Sequence, residues 1–177
     1  MKKFNLSLFL FCFLICALAG AFGSLFTFQA IPTWYVTLVK PALNPPNFVF
    51  GPAWTLLYFL MSVSLYKVLV AKLPQKLLHV RQTGLMLFFA QLVLNALWSL
   101  LFFGAHMLLI SFIEIVLLWI AIVGTIVVFK RISKVAALLL IPYLLWVTFA
   151  AYLNFSVFQL NTPTVPSNYV YSVPDNK

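Results

Sequence analysis

The fold of this chain is decided by the stretch from residue 82 to residue 129, which reads QTGLMLFFAQLVLNALWSLLFFGAHMLLISFIEIVLLWIAIVGTIVVF. Only Glu114 and His106 bring ionisable side chains into it. The whole chain is 64% hydrophobic and 7% charged, with a mean hydropathy of +1.09. Soluble domains carry roughly 25% charged residues. The composition therefore predicts an integral membrane protein, in which every polar group left inside the bilayer needs an explanation.

Apolar segments long enough to cross a bilayer occur five times, since a helical span needs roughly 20 such residues. Charged residues, Gly and Pro separate them. The alternating short segments of a transmembrane barrel are absent from the sequence, so the predicted fold is an all-α bundle of five transmembrane helices. We expect one domain, 1–161, with helices at about 5–28, 52–71, 82–103, 107–129 and 135–157, a proline-rich lid loop at 29–51, and an irregular external tail at 162–177.

Basic residues divide unequally between the two ends of the predicted bundle. Lys40 and Lys177 lie at one end, which leaves nine of the 11 Lys and Arg residues for the other. The positive-inside rule then predicts a cytoplasmic N-terminus and an external C-terminus. The formal net charge of +9 is explained as a topology signal, so membrane lipid is an expected partner and nucleic acid is not.

The first apolar segment resembles a signal peptide, with a small-x-small cleavage site at Ala17 to Ala19. It continues past that site to Phe28, which favours a membrane span. Cys12 and Cys16 lie one helical turn apart and suit neither a metal site nor a structural disulfide, so we expect them to pack.

Small residues also recur four apart in this segment, a spacing that lets another helix approach closely. The pairs are Ala19 with Gly23 and Gly20 with Ser24.

Two ionisable groups remain near or inside the membrane. Glu114 lies about two turns into the fourth helix, where we expect it to be protonated or hydrogen-bonded. It is either a proton-coupling group or a neutral acid that joins two helices. His106 is either a solvated loop histidine or an axial haem ligand. The sequence shows no carboxylate pair, phosphate-binding Gly-rich loop or metal cluster, so no catalytic residue, cofactor or metal ion is predicted.

Projection at about 100° per residue sorts the other polar and aromatic side chains into three helical stripes. Each stripe carries an indole beside amide, phenol or hydroxyl groups, which together would form a pocket for a flat conjugated ligand. The alternative is an aromatic belt at the headgroups with amides that bond helix to helix. The stripes are Trp54, Tyr58 and Ser62; Gln91, Asn95 and Trp98; and Tyr143, Trp146, Ala150 and Asn154.

Several motifs occur in an order that resembles a known family. Residues 34–61 read WYVTLVKPALNPPNFVFGPAWTLLYFLM, followed by QLVLNALW at 91–98, FFG at 102–104, Glu114, PYLLWVTF at 142–149 and LN at 153–154. From about Gly20 to Asn161 the chain resembles the translocator protein / tryptophan-rich sensory protein (TspO/MBR) family.

The resemblance implies a five-helix membrane protein, usually a homodimer, with a pocket closed by the first loop. Bacterial members bind porphyrins and haem-related tetrapyrroles, and animal members bind cholesterol and synthetic drugs. A porphyrin or similar hydrophobic small molecule is therefore the expected partner, and a bacterial cell membrane the expected location. From the resemblance and the stripes together, the predicted ligand-binding residues are Trp34, Tyr35, Trp54, Tyr58, Asn95, Trp98, Tyr143, Trp146 and Ala150.

The chain departs from the family pattern at four positions. Leu43 and Phe48 stand where members often carry Trp, and Phe155 and Gln159 stand where the animal cholesterol motif has Tyr and Arg. Sterol recognition through that motif is therefore not expected. Lys40 either meets a ligand propionate at the pocket mouth or extends to the headgroups as a snorkelling lysine.

The sequence thus predicts a membrane receptor or carrier-like binding protein that is not an enzyme. Two alternatives stay open. One is a light-dependent porphyrin-degrading enzyme that uses indole radicals at Trp34 or Trp146. The other is a proton-coupled transporter of hydrophobic ligands that uses Glu114.

Overall fold

A computed structural model of the protein describes residues 4–162, and the regular structure in that range is helical. Short 3₁₀ turns lie at Tyr35–Thr37, Asn47–Val49 and Gln75–Leu77, and a π-helical turn at Leu100–Gly104 ends the third helix. The helices are α1 (Leu6–Thr33), α2 (Phe50–Leu69), α3 (Leu78–Ser99), α4 (Leu108–Lys130), α5 (Lys134–Leu139) and α6 (Ile141–Asn161).

Five helical segments are long and apolar enough to cross a membrane, and α5 and α6 together form the fifth. The predicted all-α bundle of five transmembrane helices is confirmed. Of the tail predicted at 162–177, only Thr162 falls within the described residues.

The first helix runs further than predicted, to Thr33 instead of about residue 28. Pro32, expected to lie in the loop, sits in its last turn, where the missing proline N–H removes one helical hydrogen bond and leaves the rest intact. The turn closes when the Trp34 N–H donates to the Ala30 carbonyl at 3.0 Å. The first loop is therefore shorter than 29–51 and begins at Trp34.

The fifth span is also longer than predicted, since it runs from Lys134 to Asn161 with an interruption at Leu140. Ser133 caps its start by accepting a hydrogen bond from the Ala136 N–H at 3.3 Å. Pro142 follows the interruption, and because it has no N–H it cannot continue the hydrogen-bond ladder of α5.

Close helix contacts explain the small residues of α1, which packs on α2 and α3. A Cβ on Gly20 would overlap the ring of Tyr58 of α2, and one on Gly23 would lie 2.8 Å from the Ser99 hydroxyl of α3. The small residues thus serve packing within the chain. Cys12 and Cys16 are buried, free and part of the core, which confirms their packing role.

The loops gather at two ends of the bundle. We call the end with the first loop (34–49) and the α3–α4 connection (105–107) the lid end. The opposite end, the basic end, carries Lys67, Lys72, Lys76, Arg81, Lys130, Arg131 and Lys134.

Candidate functional site

Residues of α2, α3 and α6 meet in one hydrogen-bonded chain inside the bundle. The Tyr58 hydroxyl donates to the side-chain oxygen of Asn95 at 2.6 Å, and the Asn95 amide nitrogen donates to the Tyr143 hydroxyl at 3.1 Å. Asn95 and Tyr143 are buried, whereas Tyr58 is partly exposed. Because an unpaired amide or hydroxyl is costly in an apolar medium, this chain fixes the three helices relative to one another.

Two indoles pack beside this chain. Trp54 lies one turn before Tyr58 on α2 and stacks on its ring, with centroids 5.5 Å apart and planes inclined by 27°. Trp146 of α6 meets Trp54 edge-on at 6.5 Å and 82°, and Phe50 packs edge-on against Trp146 at 6.0 Å. The two indoles are partly exposed, and one face of Trp54 is covered by the Tyr58 ring.

The structure therefore brings five of the predicted binding residues together. We call this group the indole site: Trp54, Tyr58, Asn95, Tyr143 and Trp146.

Trp98 belongs to a neighbouring polar contact. Its indole N–H donates to the Asn154 side-chain oxygen at 3.0 Å, and the Asn154 amide donates to the Leu108 carbonyl at 2.9 Å. These two bonds tie α3, α6 and the start of α4 together. Ala150 lies one turn before Asn154 on α6 and is partly buried against the core.

The two predicted loop residues, Trp34 and Tyr35, lie in a separate aromatic cluster at the lid end. Tyr35 packs with the buried Phe102 and Val157, and Trp34 meets Phe102 edge-on at 5.7 Å. Trp98 links this cluster to the indole site, because it stacks on Phe102 at 5.2 Å and also packs against the main core.

Polar contacts hold the first loop in shape. The Tyr35 hydroxyl donates to the Asn44 side-chain oxygen at 2.8 Å. Burial raises the pKa of Tyr35, so the hydroxyl keeps its proton at neutral pH. The Lys40 ammonium lies 4.7 Å from the centroid of the Tyr35 ring and donates to the Leu38 carbonyl at 3.2 Å. Lys40 is thus held over its own loop.

A family model described as the TspO/MBR family matches residues 12–160 of this chain. This chain belongs to the TspO/MBR family. The motifs that carry the resemblance thus lie on one continuous match that includes all nine predicted binding residues.

Curated relatives agree with this membership. The chain is 47% identical over 150 residues to the tryptophan-rich protein TspO of Chlorobaculum tepidum, covering 85% of this chain and 93% of the relative. It is 40% identical over 162 residues to the protein CrtK of Rhodobacter capsulatus, covering 92% and 98%. It is 36% identical over 139 residues to the human translocator protein, covering 78% and 81%.

Two surface grooves of this TspO/MBR protein lie outside the indole site. One holds about 310 Å³ between α4 and α6 and is lined by Phe112, Val116, Trp119, Thr148, Ala151, Tyr152 and Phe155. The other holds about 420 Å³ at the lid end, between α1 and the end of α3, and is lined by Phe26, Gln29, Ala30, Thr33, Leu100, Phe103, Gly104, Ala105 and His106. Within the indole site the side chains instead contact one another.

Glu114 of the TspO/MBR bundle is buried, and neither carboxyl oxygen has a hydrogen-bond partner among residues 4–162. Of the two expectations for Glu114, protonation or a hydrogen bond to an amide or indole, the hydrogen bond is not formed among these residues.

Gln91 also departs from its stripe. Its amide nitrogen lies 3.8 Å from the sulfur of Met61, and its oxygen has no partner within the described part of the chain. It does not join the hydrogen bonds of Asn95, one turn further along α3.

Sequence reasoning missed two contacts that hold the lid. Asn161, at the end of α6, accepts from the Val39 N–H at 2.9 Å and donates to the Val39 carbonyl at 2.9 Å. His106 stacks on Trp34 with ring centroids 4.0 Å apart and planes inclined by 11°. No local pattern signals these long-range pairs, although the spacing of Phe102 four residues after Trp98 would have placed Phe102 on the same stripe.

Proposed function

We propose that this TspO/MBR protein binds a flat hydrophobic ligand, a porphyrin or a related tetrapyrrole, at the indole site. The observation that carries the proposal is the position of Trp54 and Trp146 beside the Tyr58–Asn95–Tyr143 chain. Partly exposed indole faces gain by covering an apolar macrocycle, and the neighbouring hydroxyl and amide groups orient it.

Ligand entry has to separate groups that now contact one another. Trp146 lies edge-on to Trp54, so a macrocycle seated between them displaces one indole. The first loop is held to α6 through Val39 and Asn161, so its release accompanies entry. These steps need no bond to be made or broken in the ligand, which agrees with a receptor or carrier. The relatives from Chlorobaculum tepidum and human are named tryptophan-rich protein and translocator protein, which are not enzyme names.

Tryptophan fluorescence tests the site assignment. Protoporphyrin quenching is measured in wild type, Trp146→Phe and Trp119→Phe, where Trp119 is an exposed indole on the α4–α6 groove. We expect Trp146→Phe to lose affinity about three- to tenfold, the range for one aromatic contact of about 0.5–1.5 kcal/mol. Trp119→Phe should bind like wild type. Equal affinity in all three proteins contradicts the assigned site.

Lys40 is proposed as the partner of a ligand carboxylate at the loop. Among residues 4–162 its ammonium contacts the Leu38 carbonyl and the Tyr35 ring face, and a charged carboxylate can replace these with a stronger contact. Lys40→Gln should weaken protoporphyrin binding and leave binding of the dimethyl ester unchanged, because the ester has no carboxylate. An equal loss for both ligands removes this role and supports a purely structural lysine.

Proton-coupled transport is a second candidate, and the buried carboxyl of Glu114 favours it. Within residues 4–162 the Glu114 carboxyl has no hydrogen-bond partner, and burying an unpaired acid inside a membrane bundle costs free energy. A role in proton transfer would explain why an acid stands at this position. Reconstituted vesicles with a pH gradient should then move porphyrin, and Glu114→Gln should abolish the gradient-dependent part. Flux that is unchanged in Glu114→Gln excludes the coupling role and leaves simple binding as the proposal.

The proposal also includes placement in a bacterial cell membrane, with a cytoplasmic N-terminus and a homodimeric assembly. The positive end of the bundle supports the orientation. Labelling of single cysteines introduced at Lys72 and Leu43 tests it, because only the latter should react from outside the cell. Native mass spectrometry tests the dimer.

A further inference from the structure

His106 has a backbone conformation that a side chain normally avoids. Its φ of 58° is the only positive value at a non-glycine residue within 4–162. Such a conformation is strained for any residue with a Cβ, and it persists where surrounding contacts hold it. His106 is the middle residue of the connection (105–107) that follows the π-helical turn at the lid end.

Backbone hydrogen bonds from the Ala105 N–H to the Leu100 carbonyl and from the Met107 N–H to the Leu101 carbonyl close the turn around His106. The His106 side chain stacks on Trp34. The two rings are nearly parallel at 4.0 Å, and Trp34 also meets Phe102 edge-on. Trp34 is the first residue of the lid loop and packs in the lid cluster with Tyr35. The stack therefore joins the α3–α4 connection to the first residue of the loop. The Val39–Asn161 contact holds the same loop five residues further along.

The surroundings of this stack hold few charges. Of the described residues that line the groove at the lid end, His106 alone has an ionisable side chain, and its neighbours from α1 and α3 there are apolar or neutral polar. In the first loop, Tyr35 keeps its proton because burial raises its pKa, and Lys40 is engaged with the Tyr35 ring. Among protein side chains, imidazole is the one whose ordinary change of charge falls between about pH 5 and 8.

We propose that His106 is a positioning residue that clamps Trp34 and holds the first loop closed, more tightly when the imidazole is protonated. An imidazolium over an indole face gains a cation–π attraction that a neutral imidazole lacks. The clamp is therefore tighter with a protonated than with a neutral imidazole. Its effect on ligand entry rests on the proposed porphyrin site, whereas the clamp itself does not.

Fluorine NMR of the full chain in lipid nanodiscs, labelled with 5-fluorotryptophan and free of ligand, tests the clamp. The Trp34 resonance is identified by its loss in Trp34→Phe and followed from about pH 5 to about pH 8. It should titrate in wild type. The Trp34 resonance should not titrate in His106→Asn, because Asn tolerates the left-handed backbone but has no ring. It should not titrate in His106→Arg either, because Arg stays cationic. The same titration in His106→Asn overturns the clamp.

Stopped-flow association of protoporphyrin tests the consequence for the lid. At each pH the wild-type rate is divided by that of His106→Asn, which cancels changes in the ligand itself. The ratio should fall by about two- to fivefold between about pH 7.5 and pH 5.5, as an exposed cation–π contact allows. His106→Arg should stay slow at both values. A constant ratio overturns control of entry by His106.

The two proposals fail in different ways. If porphyrin binds none of the proteins while the Trp34 resonance still titrates, the porphyrin proposal fails and the clamp stands. If porphyrin binds and the resonance does not titrate, the clamp fails and the binding site stands.

Discussion

Tyr58 of α2 donates a 2.6 Å hydrogen bond to Asn95 of α3, 37 positions later in the chain. The two helices share few other close contacts. Asn95 passes the connection on to Tyr143 of α6, so one amide side chain joins three membrane helices. Tyr58, Asn95 and Tyr143 thus join the helices and also belong to the proposed ligand site.

Replacing Asn95 should destabilise the bundle. Asn95→Ala removes two interhelical hydrogen bonds, each worth about 0.6 kcal/mol on average and up to about 1.7 in membrane proteins. We expect a loss of about 1–3 kcal/mol in equilibrium unfolding. The control is Thr148→Val, which removes the 2.9 Å bond from Trp119 at the exposed surface and should cost no more than one such bond. Equal losses in both variants contradict the bridging role of Asn95.

Gly20 should tolerate no larger side chain. Its added Cβ would overlap the Tyr58 ring, so Gly20→Ala forces α1 and α2 apart at a cost of about 1–3 kcal/mol. Gly51→Ala is the matched control, because nothing lies within 4 Å of its added Cβ. We expect that variant to be neutral or slightly stabilised, since Ala favours the helix. Thermal unfolding in one detergent measures both, and a stable Gly20→Ala protein contradicts the packing described.

Asn161 should control the mobility of the first loop. Asn161→Ala removes both bonds to the backbone of Val39, so amide hydrogen exchange in residues 35–46 should accelerate severalfold. Gln159→Ala, an exposed position on the same helix, should leave exchange unchanged. Matching exchange in Asn161→Ala and wild type would show that the loop is held by its aromatic contacts alone.

The fold and the inner face of the site follow from local rules. Hydropathy and segment length predicted five spans, and the helical period put Tyr58, Asn95 and Tyr143 on polar and aromatic stripes without deciding whether those stripes face the interior. These positions interact across the bundle because each lies on a helix whose orientation the lipid already restricts.

The ends of helices and the lid contacts do not follow from such rules. Pro32 marks a loop by composition, yet one missing N–H is too small a loss to stop a helix in its last turn. Asn161 and His106 act through partners on distant segments, Val39 and Trp34, and carry no periodic signal. Glu114 is evident in the sequence, but the lack of a hydrogen-bond partner for its carboxyl among residues 4–162 is seen only in the folded structure.

A binding protein should return its ligand chemically unchanged. Purified protein incubated with protoporphyrin in light and in darkness should give the same absorption spectrum and mass for the extracted porphyrin. Light-dependent loss of the macrocycle that disappears in Trp146→Phe would instead support the degrading enzyme. The free porphyrin under the same lamp is the control for photobleaching.

The ring current of a porphyrin bound against Trp54 and Trp146 offers the most direct test of the proposed site, because it shifts the resonances of the nearest indoles. In 5-fluorotryptophan-labelled protein with five tryptophans, protoporphyrin should shift the resonances of Trp54 and Trp146 most strongly and leave Trp119, on the α4–α6 groove, nearly unmoved. Large shifts of Trp119 with Trp54 and Trp146 unchanged would contradict the account and move the ligand to the outer groove.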